Sequence, residues 1–237
     1  MFHHVKELQF DARVSEPDPR FAKLLLEQFG GATGELTAGL QYFVQSFHTD
    51  DAGIRDMLQD IATEEFGHLE MVGMLIEQHT ARADQSKLQD VGIFALRGHG
   101  PHFLDAQGSA WKADYVMEGG SPVRDLRANI AAEAGALQTY ENLLKMAPDE
   151  GTRKALVHLA TREVAHAHMF MKALESMGKL SDPLFGDLKP DDTVNVYYNM
   201  SSDGQANLRG PWNTEPTFQY VPNPQAELLG SASKSQG

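Results

Sequence analysis

The stretch Ile61-Ala62-Thr63-Glu64-Glu65-Phe66-Gly67-His68 sets a carboxylate and an imidazole, Glu65 and His68, three residues apart inside an apolar helical pattern. At about 100° per residue, that spacing stacks both side chains on one face, near enough to hold the same metal ion. A single Glu-x-x-His arises often by chance, so the second copy decides the reading. Leu159-Ala160-Thr161-Arg162-Glu163-Val164-Ala165-His166 repeats Ala-Thr-x-Glu-x-x-His, and 98 positions separate Glu65 from Glu163. The same 98 positions separate Glu35 from Glu133, each followed seven residues later by a tyrosine, Tyr42 and Tyr140. Glu35 to Glu65 and Glu133 to Glu163 therefore both span 30 residues. Two matching halves, each offering Glu and then Glu-x-x-His, describe a pseudo-twofold binuclear metal site.

Working outward, Asp18-Pro19 reads as a helix N-cap with proline in first position. Apolar residues then recur at three- and four-residue steps from Phe21 to Phe43, so one long first helix is expected to about Phe47. Gly30, Gly31 and Gly34 each cost about 1 kcal/mol in such a helix, and mark a tight helix approach or a local bulge beside the site. Thr49-Asp50 caps an expected second helix from about Asp51 to Ala81, whose stripe Ile54, Leu58, Ile61, Glu65, His68, Val72 and Leu75 carries two ionisable groups. A lone ionised carboxylate in an apolar core costs several kcal/mol, so it needs a metal or a cationic partner. Residues 82–120 lose the period and form a long crossover, with a short helix expected near Ser109 to Met117. Such a crossover lets the second and third helices run parallel. Ser121-Pro122 opens a third helix to about Met146, and Pro148-Asp149 a fourth from about Glu150 to Met177.

Other histidines are read as bystanders. His3 and His4 are adjacent and cannot share a helix face; they belong to an N-terminal arm packing on the body or a neighbour. His79, His99 and His102 are expected at the surface or in loops, and His158 and His168 on other faces of the fourth helix. After Ser181-Asp182-Pro183 the helical period ends; Val194 to Tyr198 reads as a short strand or extended arm, and Gly230 to Gly237 as disordered. The expected organisation is a bundle over residues 1–180 and an extended, mostly irregular tail over 181–237 that wraps this subunit or its neighbours.

The bulk numbers narrow the chemistry. A chain of 237 residues, 41% hydrophobic, can bury a full core. Its formal net charge of −13 argues against nucleic acid or an anionic membrane as partner. With no cysteine, any metal must sit on His and carboxylates. No apolar run nears the roughly 20 residues of a membrane span, and the N-terminus lacks the apolar core of a signal peptide, so a soluble, cytoplasmic protein is expected. Four carboxylates and two neutral imidazoles suit Mn or Fe. One Glu from each of two helices with Glu-x-x-His from each of two others is the pattern of ferritin-like di-iron and di-manganese carboxylate proteins. Tyr42 and Tyr140 lie two turns from Glu35 and Glu133, placed to donate to a ligand carboxylate.

Phe2-x-His4-x-Lys6, Pro17-Asp18-Pro19, Leu26-Glu27-Gln28-Phe29-Gly30-Gly31, Gly34-Glu35-Leu36 and Gln41-Tyr42 resemble the start of a manganese catalase. With both Glu-x-x-His helices and the irregular tail, the resemblance covers essentially the whole chain. It implies an all-α, ferritin-like four-helix bundle, disproportionation of hydrogen peroxide, a pair of manganese ions and a homohexamer. One peroxide oxidises the manganese pair and becomes water; a second reduces it and leaves as dioxygen. By position, Glu65 would bridge the metals, Glu35 and His68 complete one, and Glu133 and His166 the other. The carboxylate matching Glu163 often stands just outside the metal shell as a proton acceptor, whereas its spacing here also permits direct ligation. Some members carry Arg before the third-helix Glu; Ala132 stands here, leaving the entrance less guarded and freeing room for Glu163. The resemblance further implies a calcium site joining the second helix to the tail through Asp56, Asp60, Asn199, Ser201 and Asp203. A di-iron oxidase or peroxidase on the same bundle, and a ferritin-like metal store, are the alternative readings.

Overall fold

The computed structural model describes residues 3–184, 186, 188–200, 209–214 and 216–224. The chain divides into two units, Met1–Phe185 and Gly186–Gly237. The first holds helices α1 (Pro19–Gly30), α2 (Glu35–Gln45), α3 (Ala52–Ala81), α4 (Gln85–Gln89), α5 (Gly92–Arg97), α6 (Pro122–Leu144) and α7 (Glu150–Ser176). The second contains β1 (Val196–Tyr198), the single helical turn α8 (Pro211–Thr214) and β2 (Gln219–Val221), with β1 and β2 pairing in parallel. Ser201, Asp203 and the expected disordered stretch Gly230 to Gly237 lie outside the described residues.

The bundle is all-α, as its periodicities require. Asp18, Asp51 and Asp149 cap α1, α3 and α7 by accepting backbone N–H groups of the first turn. The cap of α3 is Asp51, not the expected Thr49-Asp50; the Asp51 carboxylate reaches the N–H groups of both Gly53 and Ile54. Buried apolar residues form two clusters. One gathers Leu25, Leu26, Met71, Leu75, Ile76, Tyr140, Leu156 and Leu159; the other gathers Tyr42, Leu58, Ile61, Leu126, Phe170 and Leu174. Along α3 and α6 the second cluster comes first in sequence, and along α7 it comes last. So α3 and α6 run parallel, as the long crossover allows, and α7 antiparallel to both. Glu65, His68, Glu133, Glu163 and His166 fall between the clusters on each helix, a polar layer sandwiched by two apolar ones.

The expected single first helix is broken. α1 ends at Gly30 and α2 begins at Glu35, with Gly31 (ψ 171°) and Gly34 (ψ 170°) extended between them. A Cβ on Gly31 would stand 2.2 Å from the Glu27 carbonyl oxygen, and one on Gly34 2.7 Å from that of Gln28, so the break is as tight as only glycine permits. The Thr37 hydroxyl donates to the Gly31 carbonyl (3.0 Å), tying the turn to the new helix. The break makes Glu35 the first residue of α2.

The crossover also differs from expectation. Its α-helices are α4 and α5, and Ser109 to Met117 contains only the 3₁₀ turn Ala113–Tyr115. The segment is anchored by its backbone instead: Leu104 forms an antiparallel bridge with Ala110, and the Leu104 carbonyl oxygen sits where a Gly30 Cβ would lie 2.7 Å away. Gly30→Ala is expected to destabilise the protein by about 1–3 kcal/mol through overpacking, seen as a lowered thermal midpoint at unchanged helix content. An unchanged midpoint would show that the crossover can give way.

His79, expected at the surface, is fully buried. Its Nδ1 accepts the Asp18 backbone N–H (3.2 Å), its Nε2 lies 3.1 Å from the Thr152 hydroxyl, and burial lowers its pKa to about 4. It ties the ends of α1, α3 and α7 as a neutral ring, a role invisible in a sequence where it closes an amphipathic period.

Candidate metal centre

Each centre residue is set by its own helix, and the packing of α2 on α3 and α6 on α7 brings the pairs together. Glu35, Glu65, His68, Glu133, Glu163 and His166 are each at most 2% exposed. Their ligand atoms form two overlapping groups within 4.8 Å: Glu35, Glu65, His68 and Glu163, and Glu65, Glu133, Glu163 and His166. Glu65 and Glu163, the two residues related by the repeat, belong to both. The Glu65 oxygens divide between the imidazoles: Oε2 lies 2.9 Å from His68 Nδ1 and Oε1 2.8 Å from His166 Nδ1. The two rings stack with centroids 5.6 Å apart.

Both tyrosines donate to carboxylates, but across the repeat. The Tyr42 hydroxyl bonds Glu133 (2.6 Å) and the Tyr140 hydroxyl bonds Glu35. Each half's tyrosine thus orients the other half's glutamate. His99 and His168 are exposed, and His158 stacks on Phe10 at 4.8 Å, so none of the three joins the cluster. Asp56 and Asp60 are exposed one turn apart on α3, and Asn199 follows β1 and donates its side-chain amide to the Pro222 carbonyl.

One participant was passed over in the sequence. Glu64 accepts from Arg162 Nε (2.7 Å), approaches His166 Nε2 (3.0 Å) and His68 Nε2 (3.6 Å), and takes a bond from the Gln9 amide (2.6 Å). Glu64 and Arg162 are the repeat partners immediately before Glu65 and Glu163, 98 positions apart. The available signal was an opposite charge at matched positions, which a pseudo-twofold axis brings face to face. Glu65 therefore meets both imidazoles at their Nδ1 edges, and Glu64 bonds His166 at its Nε2 edge.

The electrostatics of the cluster follow from buried carboxylates held close together. Burial, reinforced by the Glu65 charge, pushes Glu35 up to about 8 and Glu133 up to about 7, and holds Glu163 well above the carboxylate range. Burial acts on Glu65 too, but His166 and His68 outweigh it and leave it at about 2. Glu64 is likewise partly buried, yet His166, His68 and Arg162 hold it far below the ordinary range. Burial disfavours charge on both imidazoles, but the surrounding carboxylates raise His166 to about 9 and His68 well above its usual value.

Buried polar atoms are normally paired. Glu163 Oε1 has no hydrogen-bond partner, while Glu65 Oε1 and His166 Nδ1 face one another at 2.8 Å. Oxygen-rich donors with two imidazoles suit Mn or Fe. The residues present fit a pair of divalent ions.

The comparisons supply the family. The family model for manganese-containing catalases matches residues 1–233. The chain belongs to this family. It is 34% identical over 224 residues to a probable manganese catalase of Clostridium acetobutylicum, covering 92% of this chain and 98% of the relative. It is 33% identical to a manganese catalase of Lactiplantibacillus plantarum, covering 95% and 93% of the two chains. Among solved structures it is similar to KatB, a manganese catalase from Anabaena, at 64% identity and a TM-score of 0.90, covering 94% of this chain and 100% of that one. Membership of the manganese catalases disfavours the oxidase and storage readings. No helix among the described residues is long and apolar enough to cross a membrane.

Proposed function

We propose that the chain holds two manganese ions and disproportionates hydrogen peroxide to water and dioxygen. The observation that carries the reading is the pair of overlapping donor groups sharing Glu65 and Glu163. Glu65 would be shared between the ions, with Glu35 and His68 holding one and Glu133 and His166 the other. When bound, the manganese pair would supply two-electron redox chemistry. The protein supplies placement and proton handling. Glu163 stands in both groups and holds its proton tightly before metal enters, so it serves as proton acceptor or as a shared ligand once the cations lower its pKa. The Tyr42 and Tyr140 hydroxyls stay protonated, since burial and nearby carboxylates raise both well above the usual value. They hold Glu133 and Glu35 in fixed rotamers.

A homohexamer is the proposed assembly, with the tail reaching over this subunit or its neighbours. It is supported by the sequence resemblance and by exposed apolar side chains on the bundle, among them the edge-to-face pair Phe43 and Phe47. A calcium ion on Asp56 and Asp60 rests on the resemblance and on hard oxygen donors one turn apart. Cytoplasmic placement follows from the sequence reading alone.

The test is elemental analysis of protein expressed with manganese, with oxygen release from peroxide followed on the same sample. About two Mn per chain with vigorous oxygen release is expected from the donor set. Iron alone without oxygen release would overturn the reading.

Loading should also release protons. Glu35 (about 8), Glu133 (about 7) and His166 (about 9) hold protons near neutrality that the ions must displace. These folded values lie above the ordinary 4.5 and 6.5, so the stability they contribute is present at lower pH and lost as pH rises through them. Chelator-treated protein should therefore melt at progressively lower temperature from pH 6.5 toward pH 9, while manganese affinity climbs over the same window. A melting temperature that rises across this range in chelator would contradict the protonation scheme.

A further inference from the structure

A narrow cavity is lined by the buried carboxylates Glu35, Glu133 and Glu163 and, toward the surface, by exposed Ala32 and Met117 and half-buried Thr33, Ala38 and Ala132. Most of those outer residues are small. Met117 is the large one, and among the lining residues it alone comes from the crossover rather than from the bundle helices or the α1–α2 turn.

Its backbone is fixed by a closed ring of amides. The Met117 N–H donates to Gln41 Oε1 (2.8 Å), and Gln41 Nε2 donates to Asn129 Oδ1 (2.9 Å). Asn129 Nδ2 donates to Gln45 Oε1 (2.7 Å), and Gln45 Nε2 returns to the Met117 carbonyl (2.7 Å). Gln41, Gln45 and Asn129 are at most 2% exposed. Three buried primary amides in an otherwise apolar layer are costly unless all are bonded. Here they satisfy one another only with the backbone of Met117 in place. Trp111 Nε1 adds a second anchor by donating to the Thr37 hydroxyl (2.9 Å). The crossover is thus clamped at the one point where it borders the passage, while its flexible thioether remains 39% exposed.

We propose that Met117 is the size filter of the passage, admitting molecules no larger than peroxide or water and excluding bulkier hydroperoxides and anions, with the Gln41–Asn129–Gln45 ring holding it at the mouth. This rests on the catalase reading of the same centre. Small size alone then separates hydrogen peroxide from an organic hydroperoxide, because both carry the same reactive O–O bond.

The experiment uses the manganese-loaded full chain and its Met117→Ala, Met117→Phe and Asn129→Ala variants. Manganese content is measured first, and binding of azide and of benzoate is then followed by the electron paramagnetic resonance of the metal. Met117→Ala is expected to associate with benzoate at least tenfold faster than the parent, with the azide association rate changed less than threefold. Met117→Phe should slow azide association at least tenfold, and Asn129→Ala, which frees the clamp, should shift benzoate association the way Met117→Ala does. Equal azide and benzoate association rates in parent, Met117→Ala and Met117→Phe, all loaded with manganese, would overturn the filter alone. A parent protein that takes up no manganese would overturn the catalase reading and the filter with it.

Discussion

Glu65→Gln is expected to abolish manganese retention and oxygen release together. Glu65 is fully buried, and each of its oxygens faces one imidazole Nδ1, at 2.9 Å and 2.8 Å. It is the carboxylate of the cluster held ionised before metal arrives, at about 2. Glutamine keeps the volume but removes that charge and replaces one lone-pair oxygen by an NH₂ group, which can only donate. One ion would lose its shared ligand and meet two hydrogens instead. Losing a bridging anion is worth several kcal/mol of metal binding and charge stabilisation, so turnover should fall at least roughly a thousandfold. The apolar layers on both sides of the site are untouched, so helix content should be kept. A variant that retained both its manganese and full turnover would remove the assignment of Glu65.

The second large effect is expected at Glu64, which meets no ligand atom of its own. Its carboxylate accepts at the Nε2 edge of His166 (3.0 Å) and lies 3.6 Å from that of His68. An Nε2–H donated to Glu64 leaves the His166 Nδ1 lone pair facing the centre, so this carboxylate sets the tautomer of that ring. Glu64→Gln should disturb this more than its shape implies. The amide keeps one acceptor oxygen for the two groups that now donate to the carboxylate, Arg162 and His166, so one of them would face its NH₂. Loss of such an orienting partner costs on the order of 10–100-fold in metal affinity. Arg162 would also lose its carboxylate acceptor. Competitive titration with a chelator reads the affinity directly. An unchanged manganese affinity in Glu64→Gln, and in Glu64→Ala, would show that the imidazoles are held by packing alone.

Much of the centre was legible because helical geometry is local. Three-residue spacing puts Glu65 with His68 and Glu163 with His166 whatever surrounds them, and the 98-residue repeat says that both pairs come from equivalent halves. The all-α bundle and its parallel α3 and α6 follow from the same periodicities and from the length of the crossover. Features that depend on what lies across a helix interface were not legible. The tyrosines bond the opposite half's glutamates, Glu64 meets Arg162, and His79 closes a junction of three helix ends only because those helices meet there.

By itself, then, the sequence determined which residues share a helix face and that the chain carries two copies of one ligand set, since 3.6 residues per turn is a property of the backbone. It also marked the glycines at 30, 31 and 34 as exceptional, without saying that the helix would break there and begin again at Glu35. Tertiary structure decided the rest: which carboxylate is shared, which tyrosine holds which glutamate, and where the crossover lies against α2. Those depend on the relative placement of helices far apart in the chain, and that placement is set by two apolar layers closing on a polar one.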